Sequence, residues 1–242
     1  MGIQEMKKLS IVVPCYNESR NIPLILERFE KVVADDSVEV LLVNNGSTDG
    51  SAEVMNELLP NYPFARVVSV EVNQGYGYGI LQGLAAANGE SLAWTHADMQ
   101  TDPFDVIKAW KIMQSEPDTS KTYVKGVRRG RAFFDEFFTI GMSGFESILL
   151  RARLWDINAQ PNVFHRTFYE TWQDPPSDFS LDLFVYYEAV RRGLTIRRFE
   201  VFFPGRIHGE SSWNTGLRSK WKFIRRTIDF SLAMRKNLNH RG

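Results

Sequence analysis

Three polar clusters carry residue types suited to a charged, oxygen-rich ligand: Pro14-Cys15-Tyr16-Asn17-Glu18, Asn44 to Asp49, and His96-Ala97-Asp98-Met99-Gln100. In the last, a carboxylate at Asp98 is followed two residues on by an amide oxygen at Gln100. Mg2+ and Mn2+ prefer such oxygen donors and usually take only one or two from protein carboxylates. An ion held there would act as a Lewis acid toward a charged, oxygen-rich group. His96 is either a further ligand for Mn2+ or an orienting side chain that hydrogen-bonds a phosphate. Asp98 has a plainer reading as a helix cap, but Asp102 suits that task better, because Pro103 fits the first helical position. Arginines form a second set. Arg128, Arg129 and Arg131 follow a strand read as ending at Gly126, and Arg206 is backed by Gly209, Ser211 and Ser212. Guanidinium forks match phosphate oxygens better than ammonium groups do. The other reading for each is a solvated surface charge.

These clusters need a scaffold that gathers strand exits, and the first half of the chain supplies one. Leu9-Ser10-Ile11-Val12-Val13 is a β-branched run stopped by Pro14, the pattern of a strand buried on both faces. Behind Asn21, Ile22, Ile25, Leu26, Phe29 and Val33 recur at helical spacing. A second strand is predicted over Val38 to Val43, then a helix carrying Val54 and Leu58 with Asp49 as its cap. A third strand over Val67 to Val72, a helix with Ile80, Leu84 and Ala87, and a fourth strand over Ser91 to Thr95 follow. Strand and helix alternating across short connections imply βαβ units and a parallel sheet. In such sheets ligands bind beyond the carboxyl ends of the strands, so the three clusters converge on one edge. Gly75-Tyr76-Gly77 lacks the third glycine of a dinucleotide fingerprint and follows the wrong strand for one. The second half is less regular. Helical stretches are predicted over Phe133 to Leu150 and Leu181 to Arg192, a strand over Thr195 to Phe203, and a last helix from near Thr215.

Composition narrows the class. The 242 residues balance 29 Lys and Arg against 29 Asp and Glu, which argues against bulk attraction to nucleic acid. The single cysteine, Cys15, excludes an internal disulfide and fits a reducing cytoplasm. The polar start, Met1 to Lys8, is not a signal peptide, and no run of about eighteen apolar residues predicts a membrane span.

Taken together, Val12 to Glu18, Asn44 to Asp49, Asn73-x-Gly75, Ala97 to Gln100 and Arg206-x-x-Gly209-x-Ser211-Ser212-Trp213 resemble the inverting family 2 glycosyltransferases. The likeness is to the dolichol-phosphate mannose synthase and polyprenyl-phosphate glycosyltransferase branch, and it covers Leu9 to Trp213. It implies an α/β GT-A fold, a mainly parallel sheet flanked by helices, with a UDP- or GDP-linked sugar as donor and Mg2+ or Mn2+ as metal. By the same likeness Pro14, Tyr16, Asn17, Glu18, Asn44, Asn73, Gly75 and Ala97 border the donor, and Asp98 and Gln100 sit in the metal motif. Arg128, Gln160, Ser211, Ser212 and Trp213 belong to the phosphate and acceptor side, Trp213 as a substrate platform or as packing. Asp98, Asp156 and Arg206 are the residues expected at the reacting centre.

Three positions depart from the relatives' pattern. His96 stands where an acid is usual. Asn44-Asn45 replaces two aspartates, and an amide that both accepts and donates discriminates bases less strictly. Gln160 stands near the usual acid of the acceptor segment, leaving Asp156 as the nearest general base for a sugar hydroxyl. An acceptor phosphate is already ionised and needs no base, so the missing acid favours a polyprenyl phosphate. A saccharide or lipopolysaccharide-type acceptor, or a relative that keeps the nucleotide pocket without turnover, are the other readings.

The expected layout is a catalytic domain over 1–214, divided into a donor half at 1–126 and an acceptor half at 127–214, followed by a basic amphipathic segment at 215–242. There Trp221, Ile224, Ile228 and Leu232 share one helical face, which Phe223, Phe230 and Met234 are expected to widen. Such a helix suits peripheral contact with an anionic membrane at its cytoplasmic face, with Phe133, Phe134, Phe137 and Phe138 as a second contact.

Overall fold

The computed structural model describes residues 7–130, 133–204, 225 and 227–235, those at 133–135 and 138 by backbone only. Its centre is a seven-stranded sheet built from the apolar runs. β1 (Leu9–Cys15) lies between β2 (Val38–Asn45) and β4 (Ser91–Trp94), parallel to both, and β3 (Ala65–Val70) adds to β2 in parallel. Beyond β4 a single strand runs against the rest. β6 (Asn162–His165) is antiparallel to β4 and to β5 (Thr122–Arg129), and β7 (Thr195–Phe202) closes the row parallel to β5. The order is β3-β2-β1-β4-β6-β5-β7.

Both faces are covered, which is why β1 and β2 read as continuous apolar runs. Leu9, Ile11 and Val13 pack with α1 (Ile22–Glu30), α2 (Ser51–Leu58) and α4 (Pro103–Gln114), whose Ile25, Met55 and Val106 are fully buried. Val12, Leu41 and Val43 turn the other way, onto Ile80 and Leu84 of α3 (Tyr76–Ala86) and Leu181 and Val185 of α7 (Leu181–Arg191). Asp102 caps α4 as expected, its Oδ1 accepting from Phe104 N at 2.9 Å ahead of Pro103. Asp49 accepts from Ser51 N at 3.0 Å at the start of α2, although Gly50 holds the cap position.

Several strand boundaries differ from those expected. β1 continues through Pro14 to Cys15. Val12 O accepts from Thr95 N, so even-numbered residues of β1 face β4, and Pro14 lies past the last β4 pair. No ladder bond there calls for its missing N–H. β3 stops at Val70, because its partner β2 ends at Asn45, and Val72 is exposed. β5 runs past Gly126 to Arg129, since β7 pairs with it as far as Phe202. The four-residue β6 was not foreseen.

α5 (Phe133–Leu150) forms over the expected residues, and an apolar side of it faces outward. Phe137, Ile140, Phe145 and Ile148 are exposed and share one face, since 137, 140, 145 and 148 fall within a single helical arc. Its inner side instead holds Ser143 and the fully buried Glu146. Burial pushes the Glu146 carboxyl up to about 7, against an opposing pull from Ser231. Ser231 belongs to the helical segment 227–235, where Phe230 and Met234 pack onto the core and so do not widen the Ile228–Leu232 face. The predicted start of that helix, with Trp221, Phe223 and Ile224, lies outside the described residues.

Candidate active site at the carboxyl edge of the sheet

The loops after β1 and β2 are tied to each other. Asn17, in the left-handed region at φ 58°, points its Oδ1 at the backbone N–H groups of Thr48 at 2.8 Å and Asp49 at 3.3 Å. Its own N–H donates to Ser47 Oγ, and Glu18 N donates to Ser51 Oγ. Asp49 accepts from Ser19 N at 3.1 Å. Burial pushes that carboxyl up, but hydrogen bonds from Ser51 and Ser19 outweigh it and hold Asp49 below the usual range. Glu18 accepts from Asn21 Nδ2, and Asn44 Oδ1 accepts from Ser47 N at 3.2 Å. Asn17, Glu18 and Asn44, expected beside a donor, therefore shape the loop with the atoms they use here. The Tyr16 ring is exposed.

At the exit of β3, Asn73 Oδ1 accepts from Gly75 N at 2.8 Å. Gly75, at φ 117°, and Gly77 admit the segment Pro176–Asp178. A Cβ on Gly75 would lie 2.6 Å from Ser177 O, and one on Gly77 would lie 2.6 Å from Asp178 O. The glycines thus serve chain packing here, and Tyr78 N donates to Ser177 O across the same contact.

After β4, Asp98 accepts from Gln100 N at 3.1 Å across Met99, itself at φ 60°. Asp98 is 5% exposed. Gln100 Nε2 donates to Pro204 O at 3.1 Å, which ties this turn to the chain leaving β7. Thr95 and Thr101 hydroxyls meet at 2.7 Å and close the loop beneath. Ala97 is buried in the core, so only its backbone can meet a ligand. His96 lies beside Tyr76, ring centroids 5.9 Å apart. Among the described residues no three His, Cys, Asp or Glu side chains gather as a metal cage. The expected donor set, Asp98, the Gln100 amide and the His96 imidazole, would suit an ion completed by phosphate oxygens and water.

Asp156 and Arg128 were expected in separate roles, as base and as phosphate ligand. They hold each other. Asp156 accepts from Arg128 N at 2.8 Å, Nε at 2.9 Å and Nη2 at 2.5 Å, and its own N–H donates to Ser143 Oγ. Burial raises the Asp156 carboxyl, but the Arg128 charge and hydrogen bonds overcome this and keep it low. A carboxylate so engaged is a poor proton acceptor. Arg128 also stacks on Phe203, its guanidinium carbon 5.3 Å from the ring centroid. Arg129 pairs with Glu200 in the open.

Gln160 belongs to a buried polar network instead of an acceptor surface. Its Nε2 donates to Asp182 Oδ1 at 2.9 Å and to Tyr76 Oη at 3.1 Å, and its Oε1 accepts from Asn162. Asn162 also accepts from Tyr123 Oη at 2.5 Å and Lys125 Nζ at 2.7 Å. Burial lowers the Lys125 ammonium to about 7, with Asp182 pulling the other way. Sequence reading missed Tyr76, Lys125 and Asp182. The signal was a lone charge inside an apolar run, in Tyr123-Val124-Lys125 and again in Leu181-Asp182-Leu183-Phe184. Arg131, Arg206, Ser211, Ser212 and Trp213 lie outside the described residues.

The pattern that defines glycosyl transferase family 2 matches residues 10–171. An undecaprenyl-phosphate 4-deoxy-4-formamido-L-arabinose transferase of Photorhabdus laumondii is 31% identical over 133 residues, which are 53% of this chain and 39% of that protein. Its namesake in Yersinia enterocolitica is 29% identical over 49% of this chain and 37% of its own. The matches thus span well under half the length of these relatives. Among solved structures, glucosyl-3-phosphoglycerate synthase of Mycobacterium tuberculosis, with Mn2+, UDP and product, superposes with a TM-score of 0.74 at 19% identity, covering 95% of this chain and 80% of that one. A mannosyltransferase of Pyrobaculum calidifontis with GDP-mannose and Mn2+ gives 0.64 at 19% identity over 85% of this chain and 59% of that one. These likenesses establish the GT-A fold.

Proposed function

Because the chain belongs to glycosyl transferase family 2, we propose that it moves a sugar from a nucleoside-diphosphate donor to a polyprenyl phosphate, with inversion, at the carboxyl edge of its sheet. The observation that carries this is the Asp98-Met99-Gln100 turn at the exit of β4, beside the interlocked loops of β1 and β2. Asp98 and Gln100, with His96 alongside, are the residues that would hold Mn2+ or Mg2+. Such an ion supplies Lewis-acid neutralisation of the leaving diphosphate. Tyr16 offers an exposed ring to a base, and the short loops after β1 and β2 limit where it can lie.

The acceptor follows from what Asp156 does. Its carboxylate is held by Arg128, so the segment expected to supply a base has none to spare. A sugar hydroxyl needs one, whereas a phosphate oxygen is already ionised. The relatives named for undecaprenyl-phosphate transfer agree with this choice. Purified protein with Mn2+, a panel of UDP- and GDP-sugars and polyprenyl phosphate in vesicles should transfer label into the lipid fraction. Label passing only to a soluble saccharide would replace the acceptor assignment. Nucleotide binding with neither transfer nor hydrolysis would make the chain a binding relative.

We further assign the outward face of α5 to the membrane surface. Phe137, Ile140, Phe145 and Ile148 project from it, and a Cβ added at Gly141 or Gly144, on the same face, would meet nothing within 4 Å. Among the described residues no helix is long and apolar enough to cross a bilayer. An apolar face of this kind lies in the interface plane, and the basic residues after Leu217 would add attraction to anionic headgroups. Co-sedimentation with anionic vesicles is expected, weakening as salt screens the charges. Phe137→Asp with Ile148→Asp should reduce it about tenfold or more, since each burial contributes roughly 1.5–3 kcal/mol. Unchanged sedimentation of that variant would remove α5 from the membrane contact.

A further inference from the structure

Tyr76 stands between the buried network and the metal-type residues. It opens α3 directly after Gly75, and its ring stacks on Phe179 at 4.8 Å and an interplanar angle of 10°. On the other side the ring meets His96, tilted by 33°. Its hydroxyl reaches away from the edge into the protein, where it accepts from Gln160 Nε2 at 3.1 Å, an amide that also donates to Asp182 Oδ1 at 2.9 Å. Asp182 is 2% exposed and gathers Gln160 and Asn162 amide groups at 2.9 and 3.2 Å. Asn162 in turn is held by Tyr123 and Lys125, neither of them exposed. The network is thus anchored in β5, β6 and α7, and it extends toward the carboxyl edge through the Tyr76 phenol.

We propose that Asp182 is a positioning residue that acts through Tyr76. By holding the Gln160 amide that donates to the phenol, it sets the plane of the Tyr76 ring and thereby the place of His96 and the adjoining Asp98 turn. The inference rests on the proposed reading of that edge as the donor site. A phenol tied to a rigid buried network cannot swing, so the wall that His96 leans on is fixed before a ligand arrives. Preorganisation of this kind acts on the rate more than on ground-state binding, and misplacement by about 1 Å can lower rates on the order of a hundredfold.

The test is a cycle of Tyr76→Phe, Asp182→Asn and the double variant, assayed for transfer and for binding of GDP or UDP with Mn2+ by calorimetry. Tyr76→Phe keeps the ring and removes only the tether. Each single change should lower kcat about tenfold while donor KM changes less than about threefold, the split expected when an interaction matters mainly in the transition state. The double variant should be no slower than the slower single one, because residues acting as a unit are not additive. If Asp182→Asn lowers kcat by the same factor with and without the Tyr76 hydroxyl, Asp182 does not act through Tyr76. Should Asp182→Asn fail to fold, Tyr76→Phe decides alone, and full kcat in it overturns the proposal. A wild-type protein that neither binds nucleotide nor transfers sugar would instead sink the donor-site reading itself.

Discussion

Asp98→Ala should lower transfer at least a hundredfold, the largest loss expected from any single change at the carboxyl edge. It removes the one carboxylate of the metal-type set, and the two remaining groups, an amide and an imidazole, bring no negative charge to the ion. The turn around it also depends on that carboxylate, since Asp98 Oδ1 accepts from Gln100 N across Met99 at positive φ. Alanine therefore removes charge and turn together. Asp98→Asn separates them, because an amide oxygen can still accept from Gln100 N while the charge is gone. Asp98→Asn should match the alanine variant in rate and remain closer to wild type in melting temperature. Raising Mn2+ should partly restore the asparagine variant and not the alanine one. If either variant keeps more than about a tenth of the wild-type rate, a loss under roughly 1.4 kcal/mol, Asp98 is not a metal ligand.

Sequence reading found the scaffold because its signals are local. The apolar runs of β1 and β2, the spacing of Ile22, Ile25, Leu26 and Phe29, and the Asp102-Pro103 cap each reflect one element packing on a sheet covered on both faces. Boundaries set by a partner strand were not legible. β3 ends where β2 ends, and β5 continues because β7 does, and neither partner is visible from the segment itself.

Side-chain roles divided the same way. That the clusters after β1, β2 and β4 share one edge follows from parallel-strand topology. Which atoms of Asn17 and Glu18 are already used between loops depends on contacts about thirty positions apart, whereas Asn44 turns onto Ser47 in its own loop. Gln160 looked like an acceptor residue because only its neighbours in sequence were available. Its partners, Tyr76 and Asp182, lie 84 and 22 positions away. α5 shows the limit of pattern alone. Its periodicity gave the helix, but not that Glu146 would sit inside and Ile148 outside.

Asp156→Ala distinguishes the structural role of this residue from the catalytic one. Asp156 and Arg128 side chains are 4% and 11% exposed and meet at 2.5 Å, so alanine leaves a nearly buried guanidinium without its counter-charge. Breaking a buried pair from one side costs about 3–5 kcal/mol. At roughly 2–4 °C per kcal/mol for a protein of this size, the melting temperature should fall by about 10 °C. Arg128→Met together with Asp156→Leu should recover most of that loss, since two apolar groups leave no orphaned charge. The pH dependence has a definite sign. The folded Asp156 carboxyl is held below its ordinary value, so its contribution is present above the unfolded value near ~4 and lost as pH falls through the lower folded one. The gap between wild type and Asp156→Ala should therefore be full at neutral pH and narrow in acid below about pH 4. Were Asp156 instead a general base, alanine would abolish transfer at an unchanged melting temperature, and the gap would show no such narrowing. Restoration of transfer in the Met–Leu double variant would be direct proof that catalysis does not need the carboxylate.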